Sequence, residues 1–250
     1  DVRMRRILMA SGLAAGIGAL FRAPLAGALF GAEIFYSGMD IEYETLLPSF
    51  IASAVAYTVF ALFYGWQPLF AMPAYTFDNG VRLLPYIVLA VVVAIGAKFY
   101  ILVFRNTEGL FRNWDCPVWA KCALGGLLTG AIGLFCPDIL GTGYGIIQAA
   151  FNVGDADILG RAVSRAGVLS AGAFILFFFA KAIATSCTVG SGGSGGVFGP
   201  ALVCGGSLGA ATGILLARVM PASVGIHPAA FALVGMAGFV AAAIRTPLTA

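Results

Sequence analysis

The sequence predicts an all-α, polytopic membrane protein with inverted internal repeats and broken or re-entrant helices, and three observations lead there. First, 60% of the residues are apolar, only 10% are charged and mean hydropathy is +0.98, whereas soluble domains carry about 25% charged residues. Second, a glycine-rich stretch, Gly190 to Pro200, lies inside a run from Ala182 to Ala217 that holds no formal charge. Third, Gly12 to Leu25 aligns without gaps to Gly235 to Leu248, an offset of 223 residues. The identical positions include Arg22/Arg245 and Pro24/Pro247. Distant copies in an apolar chain are the mark of pseudo-symmetric transport proteins whose sites lie between discontinuous helices.

The elements follow in order. Met4 to Phe21 reads as a small-residue helix that Arg22-Ala23-Pro24 breaks, because proline cannot continue the hydrogen-bond ladder and restricts the residue before it. A short helix runs from Pro24 to about Tyr36. Arg6 to Arg22 and Arg22 to Glu33 bracket pieces too short to cross untilted a bilayer that takes about 20 residues. A polar loop, Ser37 to Glu44, leads into a full span, Leu46 to Tyr64. Trp66 to Asn79, with Pro68, Pro73 and Asp78-Asn79-Gly80, reads as an aqueous loop with interfacial aromatics.

Arg82 to Asn113 reads as one long tilted helix, with Lys98 and Arg105 at a membrane boundary or on the bundle interior. Val118 to Phe135 follows, and Gly126-x-x-x-Gly130 is expected to allow close helix approach. Gly141 to Gly145 opens a short segment, Asn152 to Asp157 is a polar connection, and Ala166 to Thr185 spans again. Gly205-x-x-x-Gly209-x-x-x-Gly213 marks another tightly packed helix, and Pro228 to Ala243 leads into the second repeat copy. On this reading residues 1–115 are the end of one repeat with a connecting helix, and residues 116–250 are most of the other.

The chain lacks an initiator methionine and stops at Ala250 within an apolar pattern, so it reads as a piece of a longer protein. Its net charge of +3 is scattered and gives no reason to expect a nucleic-acid partner. Cys116, Cys122, Cys136, Cys187 and Cys204 show no CxxC spacing and read as reduced thiols. No Ser-His-Asp set, HExxH or paired-carboxylate pattern is present, and the lone His227 supports neither metal binding nor catalysis, so no cofactor, metal or enzymatic activity is expected. Gly190-x-Gly192-x-x-Gly195 matches a dinucleotide fingerprint in letters only. It follows a helix-length apolar segment and lacks the acidic residue about 20 positions on that ribose recognition needs.

The glycine stretch has a better physical reading. Lipid supplies no hydrogen-bond partners, so irregular backbone at membrane depth persists only where protein covers it or where it lines a polar cavity. Here the irregular stretch runs into Pro200 and a small-residue helix. A helix N-terminus offers amides and about half a positive charge, which suits an anion. Conduction requires weak binding, and an amide site binds more weakly than a bare ammonium in a low-dielectric cavity. The plainer alternative is a glycine-rich crossing that only lets helices pack.

These residues carry a resemblance. Gly196-Val197-Phe198-Gly199-Pro200 is similar to the GxFxP element of the CLC family of chloride channels and chloride/proton antiporters. Ala23-Pro24-Leu25-Ala26-Gly27 resembles that family's APLAG sequence, and Arg245 to Thr249 its counterpart in the second half. The resemblance implies an all-helical membrane subunit with two inverted halves and its own ion pathway, paired as a homodimer in the plasma or inner membrane. It places a chloride or similar small anion at the backbone amides of Val197 and Phe198, within the element Gly196 to Pro200. The family's GSGIP-like serine site and its GREGP loop with the external gating glutamate would lie before Asp1, and the pore tyrosine after Ala250.

One departure bears on mechanism. Antiporters of the family carry an internal proton glutamate, and the matching position is Ile34, directly after Glu33. The resemblance therefore favours a channel, or an exchanger using another proton route. Glu33 is read as a solvated or paired group in preference to a relay, since it is turned about 100° from its neighbour on a helix. Lys181 is expected to snorkel to the interface, and Arg22 and Arg245 to cap the carbonyls that end each helix. A transporter of an organic solute with the same repeat logic, and a non-conducting scaffold, are the rival readings.

Overall fold

The computed structural model describes residues 2–35, 43–71, 80–152, 171–221, 225–244, 246 and 249. Among them the regular structure is entirely helical: α1 Val2–Leu20, α2 Pro24–Glu33, α3 Tyr43–Tyr64, α4 Leu84–Arg112, α5 Val118–Phe135, α6 Tyr144–Phe151, α7 Ala171–Gly190, α8 Phe198–Val219 and α9 Pro228–Ile244. Five of these, α3, α4, α5, α7 and α8, are long and apolar enough to cross a membrane. The protein is therefore a multi-pass membrane protein. Two compact units form, residues 1–71 with 246–250, and residues 72–245.

In the first unit, the break expected at Arg22-Ala23-Pro24 is present. Arg22 adopts φ +54, and Pro24 starts α2 at the position where its missing N–H costs nothing. α2 has 10 residues, about 15 Å of helix, which is half of a hydrocarbon core of roughly 30 Å. It folds back along α1 through glycine. A Cβ on Gly27 would lie 2.6 Å from the Gly18 Cα, and one on Gly31 would lie 3.0 Å from the Ala14 nitrogen. α3 packs across this hairpin, and the Ser53 hydroxyl donates to the Pro24 carbonyl at 2.8 Å.

Arg22 acts differently from the expectation. Its guanidinium donates to the carbonyls of Gln67 and Tyr64 and lies 5.7 Å from the Phe60 ring centroid. It thus closes the C-terminal end of α3, not that of α1, because the left-handed turn at residue 22 swings the side chain away from its own helix. Arg245 lies outside the described residues.

In the second unit, α4 has 29 residues, about 43 Å, so it must tilt or extend beyond the hydrocarbon core. Lys98 and Arg105 are both exposed on it, outside the interior of this unit among the described residues. α4 packs against α7, α8 and α9 around a core of Leu89, Val93, Tyr100, Phe178, Leu208 and Phe239 with smaller neighbours. Tyr86 stacks on Phe231 with centroids 4.3 Å apart, and Tyr100 meets Phe239 edge to face at 5.7 Å.

The expected close crossing of α8 is found against α9. A side chain on Gly209 would meet the Ala232 Cα at 2.8 Å, and one on Gly213 would meet the Pro228 Cα at 2.7 Å. On α5 the expectation fails in detail. Gly126 and Gly130 face open space, while a Cβ on Gly125 would meet the Cys187 carbonyl on α7 at 2.5 Å. One turn on from Gly125, the Thr129 hydroxyl sits 2.8 Å from that of Thr188. The packing face of α5 is therefore offset by one residue from the spacing read in the sequence. All five cysteines are free thiols, with Cys187 and Cys204 buried.

Candidate functional site: a glycine loop before a helix N-terminus

The glycine stretch divides into a helix ending and a helix beginning. α7 ends at Gly190. The Gly193 amide donates to the Thr188 carbonyl at 3.1 Å and the Gly192 amide to the Val189 carbonyl at 3.0 Å. With Gly192 at φ +94, this is a Schellman ending, in which a left-handed residue lets two amides satisfy the last carbonyls of the helix. A side chain at Gly192 would strain this turn, which explains the glycine there. Ser191 adds a hydroxyl bond to the Thr188 carbonyl at 3.0 Å, and its own carbonyl accepts from the Cys122 thiol on α5 at 3.6 Å.

The stretch then turns into α8. Val197 is the N-cap, with no side-chain cap, and no acidic residue stands in the first turn. The first intrahelical bond runs from the Ala201 amide to the Val197 carbonyl at 3.0 Å. α-Helices leave their first amides without intrahelical acceptors, and Pro200, third in the helix, removes one such donor. Val197, Phe198, Gly199 and Pro200 are half-buried, and Gly195 and Gly196 are exposed. Nothing lies within 4 Å of where a side chain on Gly196 or Gly199 would begin. The positive end of α8 thus opens past glycine into space that carries no carboxylate from its own first turn.

Glu33 and Ile34 belong to the first unit. Glu33 is buried at the end of α2 and accepts from the Thr249 hydroxyl at 2.7 Å and the Thr249 amide at 3.0 Å. It is paired and not solvated. Ile34 is the C-cap, its amide bonded to the Phe30 carbonyl at 3.0 Å, and its side chain is 38% exposed.

Lys181 overturns its expectation. It is 3% exposed, and its ammonium donates to the carbonyls of Ile139 at 2.7 Å and Gly141 at 2.8 Å. Buried inside the unit with both carbonyls as partners, it does not extend to the surface, and it holds the α5–α6 connection, where Gly141 and Gly143 take positive φ. His227 is exposed before α9, and its carbonyl accepts from the Ala230 amide at 3.0 Å. Among the described residues no group of three or more His, Cys, Asp and Glu side chains is placed to hold a metal.

Sequence reading missed Thr249 as the partner of Glu33 and Thr129 as the partner of Thr188. A hydroxyl at packing spacing from glycine, as in Gly125-x-x-x-Thr129, was the available signal for the second.

Broken apolar helices, short helices paired with full spans, and a helix N-terminus with no side-chain cap behind a glycine turn define a polytopic membrane protein built from discontinuous helices. The whole chain, residues 1–250, matches the family model described as voltage gated chloride channel, and the chain belongs to that family. It is 31% identical over 248 residues to a ClcB-like chloride channel protein of Ralstonia nicotianae, covering 99% of this chain and 54% of that one. It is 33% identical over 250 residues to the H(+)/Cl(-) exchange transporter ClcA of Yersinia pestis, covering 98% and 49%. The chain spans about half the length of these curated relatives. The crystal structure of a CLC-type fluoride/proton antiporter matches with a TM-score of 0.73 at 22% identity, over 95% of this chain and 55% of that one, and shows the shared fold.

Proposed function

We propose that the chain contributes to a transmembrane anion pathway, with chloride as the anion, and that the backbone amides of Val197 and Phe198 hold the ion within the element Gly196 to Pro200. The observation that carries this reading is the start of α8: an N-terminus with no side-chain cap, no acidic residue in its first turn, and open space at Gly196 and Gly199. Partial charges of this kind attract an anion without trapping it. Phe198 supplies an apolar wall that removes water without adding charge. Relatives named as a chloride channel protein and as a chloride/proton exchanger support the same ion class.

Within that class the channel reading, or weak proton coupling, follows from Ile34. A hydrocarbon side chain cannot carry a proton, and the carboxylate oxygen of Glu33 that faces Thr249 already accepts two hydrogen bonds. A homodimer is the assembly proposed for the complete protein. The test is flux from liposomes containing the full-length protein. Chloride efflux that builds a voltage supports the channel, and stoichiometric proton movement supports an exchanger. No anion flux in either form removes the proposal.

A further inference from the structure

The second unit contains a cavity of about 500 Å³ between α4, α7 and α8, within the range of about 300–1,000 Å³ in which small-molecule sites fall. Its floor is made by Gly96, Phe178, Leu208 and Ala211. Gly96 gives it depth, since a Cβ there would run into Leu208. Its mouth is formed by side chains that stay exposed, among them Val88, Ile95, Phe179 and Leu215. Thr212 is the single polar side chain in the lining, and its hydroxyl already donates to the Leu208 carbonyl at 2.7 Å. A ligand in this crevice meets one hydroxyl whose proton is already committed and no charge, so the site favours hydrocarbon.

All three walls are helices long and apolar enough to cross a membrane. From Val88 to Phe99 the crevice follows α4 for about 16 Å. Its Val88 and Leu215 end lies toward the start of α4 and the end of α8. There Arg218, in the last turn of α8, is exposed and makes no ion pair among the described residues. Seven residues after Ala211, it stands about 20° around the helix from that floor residue, one turn beyond Leu215. The Arg82 guanidinium lies against Gly225 in the α8–α9 connection and adds positive charge to the same end of the unit. Basic side chains at the mouth of an apolar gap between spanning helices recognise anionic headgroups.

We infer that this crevice holds one acyl chain of an anionic bilayer phospholipid, with Arg218 on its phosphate. The occupant is a lipid and not a drug-like or polar solute because the lining is hydrocarbon along its depth and cationic only at one end.

The test uses the full-length protein in vesicles of phosphatidylcholine containing a minor fraction of phosphatidylglycerol whose acyl chain carries a photoreactive diazirine, with the crosslinks mapped by mass spectrometry. Labelling is expected to concentrate on residues 88–99, 175–179 and 208–216, several-fold above the exposed apolar face of α5. Filling the floor with Ala211→Leu is expected to remove that excess. Arg218→Gln, at an exposed position, is expected to leave labelling by a phosphatidylcholine probe unchanged and to lower labelling by the phosphatidylglycerol probe several-fold. Labelling spread evenly over all lipid-facing helices, or crevice residues occupied by another segment of the full-length chain, overturns the inference. Equal labelling by both probes with Arg218 intact overturns the assignment of the headgroup.

Discussion

The Glu33 carboxylate accepts two hydrogen bonds from Thr249, one from the hydroxyl at 2.7 Å and one from the amide at 3.0 Å, across 216 residues of sequence. The acid stands at the end of α2, the short helix after the break at Pro24, and the threonine lies one residue beyond the stretch Gly235 to Leu248. A buried carboxylate is costly unless hydrogen-bonded, so this pairing gives Glu33 the partner it needs within the first unit.

Thr249→Val removes the hydroxyl and leaves the amide bond in place. Loss of a hydrogen bond to a charged group costs about 1.5–3 kcal/mol. The full-length variant is expected to unfold at lower temperature than the parent, and Glu33→Gln, which keeps an acceptor oxygen, is expected to lose less. Equal stability of Thr249→Val and parent in a thermal unfolding assay would show that the pairing contributes nothing.

The two glycine faces of α5 and α8 give opposite expectations for the same change. Gly209→Ala places a methyl against the Ala232 Cα at 2.8 Å, and overpacking of this kind costs about 1–3 kcal/mol. Gly126→Ala meets nothing within 4 Å and gains up to about 1 kcal/mol of helix propensity. Denaturation midpoints of the purified variants should fall for the first and hold or rise for the second.

Lys181→Met keeps most of the side-chain volume and removes both bonds to Ile139 and Gly141. Those carbonyls are then left without that donor, at about 1–3 kcal/mol for each buried group that goes unsatisfied. The α5–α6 connection is expected to become more accessible to proteolysis and to hydrogen exchange than in the parent. Unchanged exchange at residues 139–145 would mean that Lys181 does not hold this turn.

At the start of α8, Gly196→Val is expected to fold, since its surroundings are open, yet to narrow the approach to the amides of Val197 and Phe198. Chloride flux from liposomes should fall, and Phe198→Ala should change the ratio of chloride to nitrate flux. If both variants keep parental flux and selectivity, the anion is held elsewhere.

Much of this architecture was legible in the residues. Pro24 predicts a break because it cannot donate to the ladder, and the break is there. Gly205, Gly209 and Gly213 fall on one face at a spacing of four, and that face meets α9. On α5 the same rule was ambiguous. Gly125 stands about 100° from Gly126, and Gly126, Gly130 and Gly133 cluster beside it, so periodicity alone does not choose between the two adjacent faces. The neighbour decided, through Cys187 and Thr188 on α7. Lys181 was misread for a related reason: a lysine in an apolar helix reaches an interface unless a loop brings carbonyls to it, and those carbonyls lie 40 and 42 residues upstream.

The sequence by itself determined that the chain is helical, that it lies in a membrane, where its helices break and which family it belongs to. Apolar length, proline, glycine and short motifs act locally, through backbone geometry and the lack of hydrogen-bond partners in lipid. Only the tertiary structure decided that Arg22 closes α3, that Lys181 serves a loop, that Glu33 meets Thr249 and that α5 packs through Gly125. A buried polar group must find a partner, but which partner it finds depends on what the fold brings within about 3 Å, and sequence spacing does not contain that distance.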